Sequence, residues 1–460
     1  MIRICQMNSN YEEYLSDESR MQGEADSISF PENEEEIRSV IESIKQEKMT
    51  VTIQGGKTGI VGGAVAKSGH IMNLSRMNHF LRQEKLDDGT IVVTVEAGMT
   101  LMELTKQIGR IKGEGPLFWP PNPTETSASI GGIAAVNAKG PNQILYGDAK
   151  KYIYGIKMID SSGRSFEYTR KNEEKELVSI LGTEGICGVI SEVTLTLKPK
   201  PDQVWGIGFF FETDENAADF AEKLKNAGST IRKNIASAEY LDRKTIELIE
   251  EKKSFMTKIK DLPDVSPEFA NIILLELHGT EDEIEDTAQW LMEEASECGA
   301  DPDKAWAVST ETEAEKFQSL RHAAAETVNL KIEELRRKAP GIIKLSTDFS
   351  LSKGDFKEVL IAAKEEIKDI GLTAAFFGHI FENHLHVNIL PVNLEEYQKG
   401  QKVIENWVEK SGISPVMEHG VGKLKNQLFH QYGDRSFITL CRQLKEKYDP
   451  TYLFNPGNIL

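Results

Sequence analysis

The sequence predicts an α+β chain of at least two domains. Three observations predict it. The chain has 460 residues, about three times the usual single-domain length. Helical and strand patterns alternate as far as residue 201. After the tract Lys198-Pro199-Lys200-Pro201 the pattern changes to long apolar strands, each followed by a charged amphipathic helix.

In chain order, Ile37, Val40, Ile41 and Ile44 recur at helical spacing behind an Asn33/Glu36 capping box, and Val51-Thr52-Ile53 follows as a short strand. A glycine-rich loop comes next. Residues 91–95 read as a strand, and Thr100 with Glu103 caps a helix that carries Leu101, Leu104 and Ile108 on one face. A proline- and glycine-rich segment, 116–140, interrupts the alternation. Strands resume at 152–159 and 189–197, with a Ser162-Gly163 turn between them. In the second half, strands at 204–211 and 272–277 precede helices near 212–226 and 281–298. A strand at 344–351, a helix with Phe356, Val359, Leu360, Ala363 and Ile367 on one face, and strands at 374–377 and 386–390 complete the pattern. Two β-α-β units of this kind are the material of a ferredoxin-like sheet with helices on one face.

The charge balance excludes several partners. With 54 basic and 73 acidic side chains the net charge is -19, which opposes sequence-independent attraction to nucleic acid or anionic lipid. No stretch approaches the ~20 apolar residues of a membrane helix, and residues 1–20 lack the apolar core of a signal peptide. A cytoplasmic protein with no transmembrane segment is expected. Cys5, Cys187, Cys298 and Cys441 lie far apart, so no CxxC pair is present to hold a metal, a cluster or a redox disulfide, and the four are expected to be ordinary thiols.

The loop Gln54-Gly55-Gly56-Lys57-Thr58-Gly59, followed by Val61-Gly62-Gly63, sits just after a strand. Missing Cβ atoms there let backbone N–H groups approach and cradle a pyrophosphate. It is neither a Walker loop nor the GxGxxG that opens a dinucleotide-binding helix. Its company is more telling: Pro120-Pro121-Asn122-Pro123-Thr124, Ser129-Ile130-Gly131-Gly132-Ile133-Ala134, Asn137-Ala138, Tyr146-Gly147-Asp148, and Gly182-Thr183-Glu184-Gly185-Ile186-Cys187-Gly188-Val189-Ile190. In this order and spacing they resemble the FAD-binding domain of the vanillyl-alcohol oxidase and p-cresol methylhydroxylase flavoprotein family, over about residues 24–201. The resemblance implies a two-subdomain FAD-binding domain. In it, residues 55–59 hold the pyrophosphate, flanked by Gln54, with Lys57 and Thr58 inside the loop. Pro121, Asn122, Thr124, Ser129, Gly131, Gly132 and Asn137 line the flavin, and Glu184, Gly188, Ile190 and Asn455 complete the walls. Some members attach the flavin through a histidine near the first glycine loop. Residues 54–63 contain none, so non-covalent FAD is expected. Where the family usually has glycine or asparagine, Lys57 adds a charge near the phosphates.

Three histidines, His379, His384 and His386, crowd into eight residues of a chain with nine in all. His384 and His386 would share one strand face and His379 would swing round through a turn, so that the imidazoles could converge on a divalent metal or line a polar crevice. Glu418-His419-Gly420 offers a carboxylate beside another imidazole. Both pieces, with Asn455-Pro456-Gly457-Asn458 near the end, resemble the C-terminal domain of FAD-linked D-lactate, glycolate and D-2-hydroxyglutarate dehydrogenases. The resemblance implies that His379, His386 and Glu418 bind one divalent metal, Zn, Fe or Mn, that Asn388 orients substrate, and that His419 is the base. Arg321 corresponds to the arginine that forks onto the substrate carboxylate. One departure stands out: the family's Gly-Asp-Gly-Asn is here Phe381-Glu382-Asn383-His384, so His384 could replace a ligand or the loop could fit another substrate.

The expected organisation is an FAD-binding domain at 24–201, a ferredoxin-like substrate or cap domain at 202–425, and a segment at 426–460 returning to the FAD domain. The expected reaction is FAD-dependent oxidation of a small D-2-hydroxy acid to the 2-oxo acid, with hydride passing to flavin N5. Ser346, where some relatives carry a lysine, favours a monocarboxylate such as D-lactate over 2-hydroxyglutarate. Electrons would pass to a partner such as an electron-transferring flavoprotein. A glycolate or D-2-hydroxyglutarate dehydrogenase, a flavin-dependent synthase resembling alkyldihydroxyacetonephosphate synthase, and a non-catalytic FAD subunit are the alternatives.

Overall fold

The computed structural model describes residues 3–121, 123–348, 355–411, 416 and 418–460. Two compact units are present. The first comprises Met1–Gly140, Gly147–Lys200 and Val416–Leu460, and the second Pro141–Tyr146 and Pro201–Pro415.

In the first unit, strands β1 (Cys5–Gln6), β2 (Ser27–Ser29), β3 (Val51–Gln54) and β4 (His70–Asn73) form a sheet ordered β1-β2-β4-β3, with β2 and β3 parallel to β4. Helix Glu34–Gln46 buries Ile37, Val40, Ile41 and Ile44, the stripe expected from their spacing. Its cap differs slightly from the expected box. Asn33 accepts from the Glu36 N–H, but the Glu36 carboxylate takes the N–H of Glu32 instead of that of Asn33. A second sheet, entirely antiparallel, is built from β5 (Phe80–Lys85), β6 (Ile91–Glu96), β8 (Ile153–Ile159), β9 (Ser165–Thr169) and β10 (Val189–Thr196) in the order β5-β6-β10-β8-β9. Strands β7 (Leu117–Phe118) and β11 (Lys198–Pro199) pair separately. The Thr100/Glu103 capping box forms as expected.

Residues 416–425, expected in the second domain, fold instead with the first unit. The physical reason is a buried carboxylate: Glu184 accepts from the N–H groups of Val421 and Gly422. From the same end of the chain, helix Arg435–Tyr448 buries Lys445, whose ammonium donates to Asp449 Oδ2 (2.8 Å) and to the carbonyls of Ile186 (3.0 Å) and Phe454 (2.7 Å). Asp449 in turn accepts from the N–H groups of Leu453 and Phe454.

The second unit is one antiparallel sheet of seven strands: β12 (Gln203–Phe211), β13 (Ile235–Asp242), β14 (Asn271–Gly279), β15 (Trp306–Val308), β16 (Leu345–Ser346), β17 (Ala374–His379) and β18 (His384–Ile389). Their order is β15-β12-β14-β13-β17-β18-β16, so the first four follow the ferredoxin-like 4-1-3-2 arrangement. Helices cover both faces, a correction to the expectation of one. Phe209 and Phe211 meet Phe220 of helix Asp214–Asn226, while Phe210 packs with Ile246 and Ile249 of helix Arg243–Lys252 and with Phe317 and Leu320 of the long helix Glu311–Lys338. A strand buried on both sides reads as a continuous apolar run, and Phe209-Phe210-Phe211 is one. Segment Pro141–Tyr146 joins this unit through the Tyr146 hydroxyl, 2.7 Å from Nδ1 of His278. The strand expected at 344–351 is seen as β16, and its remainder from 349 lies outside the described residues. Among the described residues no helix is long and apolar enough to cross a membrane.

Lys445→Met would strand the buried Asp449 carboxylate. A loss of about 3–5 kcal/mol is expected, as for other broken buried pairs, to be read from the urea midpoint of the first unit's transition.

Candidate functional site

In the first unit the glycine loop leaves the end of β3, and its close packing explains two glycines. A Cβ on Gly55 would lie 1.9 Å from Ser129 Oγ, and one on Gly56 would lie 2.6 Å from the Ser127 carbonyl. The Ser129 hydroxyl accepts from Gly56 N (3.3 Å) and from Gly132 N (3.2 Å), so the loop and the start of helix Ile130–Val136 are joined through one side chain. Gly131 is as constrained, with Ala97 Cβ 2.5 Å from its would-be Cβ. Around Gly59 no atom of the described residues stands within 4 Å of that position. A backbone loop with two glycines pinned from behind and one facing open space fits a phosphate-bearing cofactor.

Several residues expected at the cofactor site serve as structural clamps. Gln54 is buried and donates to the carbonyls of Tyr14 and Ala64. Asn455 accepts from Ile53 N and donates to the Glu184 carbonyl, both at 2.7 Å. Asn137 takes the left-handed cap of its helix, donates to Asp148 and accepts from Lys150 N. The Lys57 side chain has protein partners of its own. Lys57 Nζ donates to the Glu13 carbonyl at 2.6 Å and lies 4.3 Å over the Tyr14 ring, because those two acceptors of positive charge stand beside the loop. Gly188 and Ile190 are at the start of β10, where a Cβ on residue 188 would lie 2.5 Å from the Ile159 carbonyl. Pro121 is buried, and Thr58 and Thr124 are half-buried. Asn122 lies outside the described residues.

The rim of this loop holds a half-buried cation. Lys423 Nζ donates to Asn458 Oδ1 at 2.7 Å and lies 3.4 Å from the carbonyls of Gly62 and Gly63. Burial pushes its ammonium down to about 8, against the pull of Glu184.

In the second unit the three histidines come together by hairpin geometry. His379 and His384 are direct cross-strand partners in β17 and β18, and His386 pairs with Phe377 one step along the same face. Gly378 makes this possible: a Cβ there would lie 2.1 Å from the His384 carbonyl, and its φ of +156° suits glycine. Ring centroids stand 4.4 Å apart for His384 and His386, 5.6 Å for His379 and His384, and 5.9 Å for His379 and His386. One nitrogen from each ring falls within 4.8 Å of the others.

Two of the rings, His379 and His386, are also oriented by an oxygen acceptor behind them, and the third stands near a carboxylate. Nδ1 of His379 lies 2.6 Å from Glu239 Oε1, Nδ1 of His386 lies 3.3 Å from the Thr347 carbonyl, and Nε2 of His384 lies 3.5 Å from Asp348 Oδ1. An acceptor on one nitrogen fixes the tautomer and leaves the lone pair on the other, as in metal-ligating histidines. This donor set fits a divalent metal. Arg321, from the long helix, is no surface arginine: its Nε pairs with Glu239 Oε1 at 3.0 Å and its Nη2 is 3.3 Å from His379 Nε2. Burial pushes the Glu239 carboxyl up, but Arg321 and His379 more than offset this and hold it below the usual carboxylate range. Asn388 donates to the His386 carbonyl, while its buried Oδ1 has no partner among the described residues. Ser346 pairs with Asn388 across β16 and β18. Glu418 and His419 belong to the first unit, where both are half-buried.

Similarity to solved structures bears on the fold. The chain superposes on a structure of alkyldihydroxyacetonephosphate synthase with a TM-score of 0.65 at 17% identity, over 95% of this chain and 77% of that one. The two chains share a fold. Residues 25–169 match a family described as "FAD binding domain" and residues 201–459 one described as "FAD linked oxidases, C-terminal domain". The chain belongs to the FAD-linked oxidase family and carries an FAD-binding domain. It is 25% identical to D-lactate dehydrogenase of Anaerostipes hadrus, over 97% of this chain and 92% of that protein. It is 26% identical to D-2-hydroxyglutarate dehydrogenase of Xanthomonas citri and 24% to glycolate oxidase subunit GlcD of Bacillus subtilis, each over 94% of this chain and 88% of the relative.

A lysine whose folded pKa is lowered costs stability while it stays charged. For Lys423 that cost is fully present below about 8 and is relieved as pH rises toward ~10.4, its unfolded value. The first unit should therefore gain stability across that window in the parent chain, and Lys423→Met should lose this gain when the two melting curves are compared.

Proposed function

We propose that the chain oxidises a small D-2-hydroxy acid to the 2-oxo acid and passes the electrons to a partner protein. The observation that carries this is the buried group of three imidazoles with Arg321 held beside them on Glu239. It combines nitrogen ligands for a metal with a cation suited to a carboxylate, the two features a 2-hydroxy acid presents to a binding site. Bound FAD would supply the hydride acceptor, and a divalent metal held by His379, His386 and Glu418 would supply Lewis acidity toward the hydroxyl.

The chain's own residues divide the remaining work. Arg321 binds the carboxylate, and Glu239 fixes the direction of its guanidinium. Asn388 offers its buried Oδ1 to a substrate donor such as the hydroxyl. His419 accepts the hydroxyl proton as the hydride leaves the α-carbon, so that one proton and one hydride depart and a carbonyl remains. Ser346, without a cationic side chain, supports a monocarboxylate such as D-lactate. The names of the relatives, all 2-hydroxy-acid enzymes, support the same reaction class. An electron-transferring flavoprotein would suit as acceptor for a chain with a net charge of -19 if it offers a basic docking face.

Anaerobic titration of the FAD-loaded protein with D-lactate, L-lactate, glycolate and D-2-hydroxyglutarate tests this directly. Bleaching of the flavin by one acid, lost after chelation, is expected. Absence of bleaching by every acid would leave FAD binding intact and remove the proposed chemistry. Arg321→Met should lower kcat/KM for the accepted acid about 10- to 100-fold, the scale of a lost charge-assisted hydrogen bond of about 1.5–3 kcal/mol.

A further inference from the structure

We propose that His384 is a third imidazole ligand, so that this chain holds its metal through His379, His384 and His386 and favours zinc over manganese. The inference rests on the metal reading above and deepens it. His384 stands where the family pattern has asparagine, and it is fully buried, at 0% exposure. It is the direct cross-strand partner of His379 and its ring is 4.4 Å from that of His386. The buried Asp348 carboxylate stands 3.5 Å from its Nε2, and one nitrogen of His384 lies within 4.8 Å of a nitrogen of His379 and of His386.

The altered loop before His384 supports it as a unit. The guanidinium of Arg232 lies 5.4 Å over the Phe381 ring, and Lys225 Nζ donates to Asn383 Oδ1 at 2.7 Å. Asn383 takes a left-handed turn with φ of +50°, and the chain enters β18 at His384. Two of the three residues that depart from the family pattern ahead of His384 thus anchor the turn from outside and fix where the imidazole begins. Packing alone gives no reason to bury a third imidazole against two others, whereas a shared cation does. A nitrogen-rich donor set suits zinc or iron, while manganese prefers oxygen donors.

The test uses the FAD-loaded parent chain and His384→Asn, which restores the family residue. Zn2+ and Mn2+ affinities are measured by chelator competition, and imidazoles are counted by X-ray absorption fine structure of the Zn2+-loaded proteins. FAD content and melting temperature report folding. Three imidazoles in the parent, two in the variant, and a Zn2+ affinity lower by about tenfold or more with a smaller change for Mn2+ are expected. Two imidazoles in both proteins with equal Zn2+ affinity would overturn the assignment while leaving the metal reading in place. Failure of both proteins to take up either ion stoichiometrically would overturn the metal reading and this inference together. If His384→Asn does not fold, the imidazole count of the parent decides alone, with His384→Gln as the second variant.

Discussion

A buried charge must meet its opposite, and in the second unit Glu239 sets that requirement. Its carboxylate sits on a central strand with almost no exposure, a position that costs several kcal/mol without a partner. Arg321 and His379 satisfy it, and they come from the long helix and from a neighbouring strand. One carboxylate thereby fixes three elements and gives each partner a direction. The arginine fork is pulled onto the sheet and the His379 ring is locked in one tautomer. The β17–β18 hairpin then places the other two imidazoles by the two-residue period of a strand.

The first unit solves a different problem with the same logic. A backbone cradle for a phosphate must keep its amides near open space, yet be held from behind. Ser129 joins the loop to a helix start, Asn455 ties β3 to the turn at Glu184, and Glu184 collects two amides from residues 421 and 422. Side chains that a motif comparison assigns to the cofactor are in good part the struts that keep glycine backbone in position.

Motifs were legible where chemistry repeats at fixed spacing. The glycine loop, the Ser129 cap and the three histidines could be read because strand period and helix capping act over a few residues. Glu239 and β13 were missed, since Ile235-Ala236-Ser237-Ala238-Glu239 alternates weakly and carries a carboxylate that ordinarily marks a surface. The faces of the sheet were misjudged although Phe209-Phe210-Phe211 already showed burial on both sides. The partners of Lys57, Glu13 and Tyr14, could not be read because they lie more than forty residues away, beyond the reach of local pattern. The return of residues 416–425 to the first unit likewise depends on a long-range carboxylate contact that no local signal announces.

The first unit is assembled from stretches separated by more than two hundred residues of the second. During synthesis the second unit's strands emerge, and can pair, before residues 416–460 exist. The cofactor domain must therefore wait with part of its core open, lacking Lys445, Asp449 and the partner amides of Glu184. Such high contact order slows closure and exposes apolar surface in the interim.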